Sequence, residues 1–117
     1  MTDFAPYDPN VLPAPVLAYL DARDQQRHSE AADAFTPDAV VLDDGGTYRG
    51  IDEISRWIAS SSTEFTYTST RLGQRVLDGD RADVQVRLDG DFPGGTVVLR
   101  YRFDLRDELI ARLVIEI

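Results

Sequence analysis

Few side chains in this 117-residue chain could do chemistry, and the missing types narrow the field first. Cysteine is absent, which removes disulfides, thiolate nucleophiles and cysteine-ligated zinc. Histidine occurs once, at His28, and no Gly-x-Ser-x-Gly elbow presents a serine, so a Ser-His-Asp triad lacks its parts. Carboxylates and hydroxyls remain. The pair Asp43-Asp44 stands out, because it closes an apolar run over 39–42 and is followed by Gly45-Gly46. A carboxylate there has two readings: a group aimed into a pocket, or a turn aspartate bonded to its own backbone. Asp44 alternates to the opposite side and is read as solvated.

The elements that would position Asp43 follow from the same stretch. Asp-Gly-Gly between extended segments signals a hairpin, and after Gly50 the residues Ile51, Ile54 and Ile58 recur at helical spacing beside Trp57, with Asp52 and Glu53 at the positive end of the helix dipole. Upstream, Pro13 and Pro15 suit a helix start, and Leu12, Val16, Tyr19, Leu20 and Arg23 form one stripe, which predicts an amphipathic helix over 12–27. A tyrosine on such a stripe is ordinarily a core residue with its hydroxyl satisfied. His28 sits at a break and is expected at the surface; Ser29 caps a short second helix that Thr36-Pro37-Asp38 ends. Residues 1–11 read as an extended arm and 12–117 as a single domain.

Beyond the polar run at 60–63 the period changes to 2. A strand opens at Phe65-Thr66, and three further segments alternate around turns at Asp78-Gly79-Asp80, Pro93-Gly94-Gly95 and Arg106-Asp107-Glu108. Helices first and a meander last predict an α+β fold, with N-terminal helices on one face of an antiparallel sheet. Alternation sends Val98, Ile110 and Val114 to the far face, among Asp83, Arg100, Arg102, Arg112 and Glu116. Such a mixed patch suits either a homodimer contact rimmed by ion pairs or a solvated face with scattered apolar residues.

The formal net charge is −9, from 12 basic and 21 acidic residues, which disfavours nucleic acid and anionic membrane as partners. No apolar run approaches membrane-spanning length and the first residues lack the pattern of a signal peptide, so a cytoplasmic location is expected. No cluster offers three spaced metal ligands, and neither metal nor cofactor is expected.

The element order, together with TPDAVVLDDGGTYRGIDEISRWI, resembles the SnoaL-like and ketosteroid-isomerase-like branch of the nuclear transport factor 2-like superfamily, over residues 12–117. The resemblance implies a strongly curved sheet, a conical cavity between the helices and the concave face, and a homodimer built on the sheet. It implies a small-molecule pocket for an apolar carbonyl compound, and cofactor-free isomerase or cyclase chemistry by proton transfer. The alternatives are a non-catalytic ligand-binding or dimerisation domain, or a protein-binding module using the open sheet. In the family a helix-1 tyrosine and a first-strand carboxylate serve as oxyanion donor and general base, and Tyr19 and Asp43 stand at that spacing, 24 positions apart. Val16, Phe35, Trp57, Ile58, Leu99 and Tyr101 would line the pocket. The pattern departs at Leu99, which occupies the place of a second acid; loss of one such donor typically costs about 2.7 to 4 kcal/mol of barrier. Tyr101, one pleat along, offers a hydroxyl instead.

Overall fold

The computed structural model describes residues 4–64 and 67–117, in the order β1 (Ala5–Pro6), a short 3₁₀ turn (Pro9–Val11), α1 (Ala14–Asp24), α2 (His28–Asp33), β2 (Phe35–Asp43), β3 (Gly46–Arg49), α3 (Gly50–Glu64), β4 (Tyr67–Asp78), β5 (Arg81–Gly90), β6 (Thr96–Arg106) and β7 (Leu109–Glu116). Phe65 and Thr66, expected to open a strand, lie outside the described residues. Asp44 (φ 50°) and Gly45 (φ 79°) form the two-residue loop between the paired Asp43 and Gly46. Positive φ at both loop positions gives the twist that suits a hairpin, and it fixes where Asp43 points.

The strands form one curved, open sheet in the order β1-β4-β5-β6-β7-β2-β3, antiparallel at every pairing except the parallel β2–β7. The expected all-antiparallel pairing is thus broken once, because β2 comes before the meander and reaches β7 only across the helical layer. Thr36-Pro37-Asp38, read from sequence as ending α2, lies inside β2. Proline has no N–H to give to a ladder, and Pro37 falls where the β2–β7 register shifts between Phe35 and Val40.

The helices pack on one face of the sheet. Val16 and Tyr19 of α1, Ile54 and Ile58 of α3, and Val84, Phe103 and Leu113 of the sheet are all buried in one cluster. Ile110 belongs there too, fully buried, which corrects its expected place on the far face. The cause is a bulge. Asp104 pairs with Arg112 and Leu105 with Ile110, so Ala111 is an extra residue that resets the alternation of β7. Asp83, expected on the far face, is buried and paired at 2.6 Å with Arg75. His28 is half-buried, and its Nε2 is covered with no hydrogen-bond partner among the described residues, against the expected exposure. Elsewhere on the far face Arg102 reaches Glu116 at 3.4 Å and Arg81 reaches Asp104 at 3.6 Å, with Val98 exposed among them. Among the described residues no helix is long and apolar enough to cross a membrane.

The N-terminal arm is tied to the sheet edge. Ala5 pairs with Gln74 and Pro6 with Gly73; the Gln74 side chain accepts from the Asp8 amide at 2.7 Å and donates to the Pro6 carbonyl at 3.2 Å. Gly73 is required for this approach, since a Cβ there would lie 2.3 Å from the Ala5 carbonyl oxygen. Gly73→Val is therefore expected to detach β1 and to cost about 1 to 3 kcal/mol. Hydrogen exchange checks it: the amides of residues 5–8 should lose protection while those of β5 and β6 keep theirs.

Candidate functional site

A cavity of about 300 Å³ opens between α1, α3 and the sheet. Helical spacing puts Tyr19 and Arg23 of α1 on one side of it, four residues apart on the same face. The hairpin delivers Asp43, Gly46 and Tyr48, and α3 contributes Trp57, Ser60 and Ser61. Across the cavity the sheet presents Ser69, Arg71, Val86, Leu99, Tyr101 and Ile115.

These side chains are linked through Trp57. Its indole Nε1 donates to the Asp43 carboxylate at 3.1 Å, its ring stacks on Tyr48 at 5.9 Å between centroids, and the Arg23 guanidinium lies over it at 4.9 Å. Arg23 also donates to the Tyr19 hydroxyl at 3.3 Å and to the Ser61 hydroxyl at 2.8 Å. Tyr19 is wedged edge-on against Phe35 (5.3 Å) and Phe103 (6.0 Å), which fixes the position of its hydroxyl. Because that oxygen accepts from Arg23, the hydroxyl proton remains free to be donated elsewhere.

Burial governs the protonation of these groups. It pushes the Tyr19 phenol up to about 12, with Arg23 pulling the other way, and raises the Tyr101 phenol further, helped by the neighbouring tyrosines. Both stay protonated donors at neutral pH. Asp43 is raised above the usual carboxylate range, chiefly by desolvation; the Trp57 N–H opposes the shift, the nearby Asp44 charge adds to it, and the Arg23 charge across the indole works against it. A carboxylate poised higher than normal is a better general base at neutral pH.

A second charged group in the wall is already neutralised. Arg71 meets Asp24 at 2.8 Å and Asp21 at 2.9 Å, donates to the Tyr7 hydroxyl at 2.8 Å, and lies over the Tyr7 ring; Ser69 donates to the same Asp24 at 2.8 Å. The N-terminal arm is thereby connected to the cavity wall.

Of the residues singled out from sequence, Asp43, Tyr19, Trp57, Leu99 and Tyr101 line the cavity. Val16, Phe35 and Ile58 are buried in the core beneath its wall and support it from behind. Asp43 bonds to the indole and, among the described residues, to neither Gly45 nor Gly46. Arg23, Ser61 and Tyr48 received no functional reading from sequence. Arg23 had a usable signal, because it stands four residues after Tyr19 on the same stripe. Among the described residues no group of three His, Cys, Asp or Glu is arranged to hold a metal ion.

Residues 16–113 match the family model of the SnoaL-like domain. Among solved structures, the chain is similar to a proposed polyketide cyclase from Sinorhizobium meliloti, at 36% identity over 94% of this chain and 100% of that one, with a TM-score of 0.88. A Catenulispora acidiphila protein of ketosteroid isomerase-like fold, in complex with trimethylamine, matches at 20% identity over 92% and 87% of the two chains, TM-score 0.79. A Mycobacterium tuberculosis protein in complex with estradiol-17beta-hemisuccinate matches at 13% identity over 88% and 90%, TM-score 0.74. Among curated proteins none matches.

Proposed function

Since the chain belongs to the SnoaL-like domain family of the nuclear transport factor 2-like superfamily, we propose that it binds a small carbonyl compound and moves a proton on it without a cofactor. The observation that carries this reading is Asp43 with its raised pKa, held on the cavity wall by Trp57 while Tyr19 and Tyr101 offer phenol protons from the other walls. In the reaction Asp43 takes a proton from the carbon beside the carbonyl, and the electron pair moves onto the carbonyl oxygen. Tyr19 donates a hydrogen bond to that oxygen as its charge grows. Return of the proton from Asp43 to another carbon completes an isomerisation. Attack of the enolate carbon on a second carbonyl of the same molecule, followed by protonation of the new alkoxide, completes a cyclisation.

Tyr101 takes the place of the missing second acid: Leu99 is apolar, and Tyr101, one pleat along the same strand, carries its hydroxyl on the cavity wall. The relationship to the Sinorhizobium meliloti protein, named for polyketide cyclisation, and the steroid ester held by the Mycobacterium tuberculosis neighbour favour a ligand with a fused-ring or polyketide body. The far sheet face, with Val98 and Val114 among ion pairs, is the surface on which two copies would meet as a homodimer.

Binding of 4-nitrophenolate, an enolate mimic, tests the acid–base axis through Trp57 fluorescence. Asp43→Asn removes one negative charge at nearly constant shape and should tighten binding about tenfold, and Tyr19→Phe should weaken it by a similar factor. Equal binding by all three proteins, or by none, would return Asp43 to the role of a turn residue.

A further inference from the structure

The charge distribution inside the cavity narrows the ligand class. In a chain of net charge −9 an interior arginine ordinarily finds a carboxylate, as Arg71 does with Asp21 and Asp24 and Arg75 does with Asp83. Arg23 differs. Among the described residues its hydrogen-bond partners are the hydroxyls of Tyr19, Ser61 and Tyr67, and its guanidinium lies over the Trp57 and Tyr19 rings. No carboxylate of the described residues stands within ion-pair distance of it. A guanidinium carries five N–H donors in a planar fork, and three hydroxyl contacts, to Tyr19, Ser61 and Tyr67, do not exhaust them. A cation bonded only to neutral hydroxyls in the wall of a cavity is a receptor for a planar anion, because the charge that acts on it, Asp43 across the indole, makes no ion pair with it.

We propose that the ligand of this cavity carries a carboxylate, gripped by Arg23, in addition to the carbonyl on which Asp43 acts. The inference rests on the pocket reading above. Trp57 sets the spacing: it touches Asp43 through its indole nitrogen and Arg23 through its ring face, so base and anion receptor lie at two edges of one indole. A ligand lying along the indole meets both, with its acidic C–H at Asp43 and its carboxylate at Arg23. Asp43 itself repels an anion, which keeps the carboxylate at the arginine and orients the ligand one way round. A keto acid fits this arrangement, and a hydrocarbon ketone leaves Arg23 unmatched.

The test compares two probes of nearly equal shape, 2-naphthoate and the neutral 2-acetonaphthone, titrated into the full chain and read by fluorescence and by the Arg23 side-chain NMR signal. Wild type should bind 2-naphthoate about tenfold or more tightly than the ketone, against the repulsion of its net charge. Arg23→Gln should abolish that preference, lowering the affinity for 2-naphthoate by about tenfold more than that for the ketone. Arg23→Lys, a point charge without the fork, should retain part of it. The Arg23 signal should shift with 2-naphthoate and stay in place with the ketone. If wild type binds both probes alike, or Arg23→Gln keeps the preference, the carboxylate assignment is overturned and the pocket reading stands. If wild type binds neither probe, the pocket reading fails and this inference falls with it. Should Arg23→Gln fail to fold, the wild-type preference, the NMR shift and Arg23→Lys still decide the question.

Discussion

Phe103→Ala is expected to remove about 3 to 5 kcal/mol of folding stability, a large part of the 5 to 15 kcal/mol that holds a domain of this size together. Phe103 is 1% exposed on the central strand β6, pairs with Ala82 on one side and Leu113 on the other, and lies against the edge of Tyr19. Truncation would open a cavity between α1 and the sheet that no flexible neighbour can fill, because the β-ladders on both sides hold the backbone. At a urea dependence of about 1.5 kcal/mol/M, the unfolding midpoint should fall by about 2 M or more. Tyr101→Phe, two residues earlier on the same face, is the control. It deletes only a hydroxyl that faces the cavity and should leave the midpoint nearly unchanged, so an equal loss from both variants would contradict this account.

The contrast between those neighbours shows what could be read from the chain. Period-2 alternation put Leu99, Tyr101 and Phe103 on one face of β6, and the Asp-Gly-Gly turn placed Asp43 at a hairpin, because turn glycines and alternation are local properties. The bulge at Ala111 had no such signature. An extra residue in one strand is defined only by its partner strand, and without it Ile110 counts to the wrong face. The same holds for Thr36-Pro37-Asp38, whose local chemistry says stop; only the register shift against β7 makes room for a proline within a strand.

In the site, the residues legible in the sequence are those whose type is unusual at their place: a carboxylate ending an apolar run, and a tyrosine on an apolar stripe. Arg23 stood on that stripe too, but an arginine at the edge of an amphipathic helix is ordinarily a solvated side chain laid along apolar surface. What gives it a different meaning is that no carboxylate of the described residues makes an ion pair with it, and that is a three-dimensional fact. Trp57 was visible as a large aromatic near Asp43, yet its donation to that carboxylate needed the angle between β2 and α3.

Asp43→Asn is expected to slow enzyme-catalysed proton exchange by about a hundredfold to ten-thousandfold, the range typical of a positioned general base. The probe is 2-acetonaphthone in D₂O, whose methyl protons sit beside the carbonyl and exchange for deuterium only through the enolate; NMR follows their loss. No product need be known, because the first half of any isomerisation or cyclisation at this site is the step being read. The pH dependence carries its own sign. The base works only as the carboxylate, so exchange should rise with pH as Asp43 gives up its proton. The midpoint should lie above the usual carboxylate range, because desolvation favours the neutral acid. Tyr19, held up at about 12, stays protonated through pH 9, so no descending limb should follow within that range. Tyr19→Phe should lower the plateau without moving the midpoint far, since it removes a donor to the enolate and leaves the base in place. Exchange that is equally fast in wild type and Asp43→Asn would show that the carboxylate takes no proton. The cavity would then be a receptor whose chemistry ends at binding, with Arg23 as its principal polar contact.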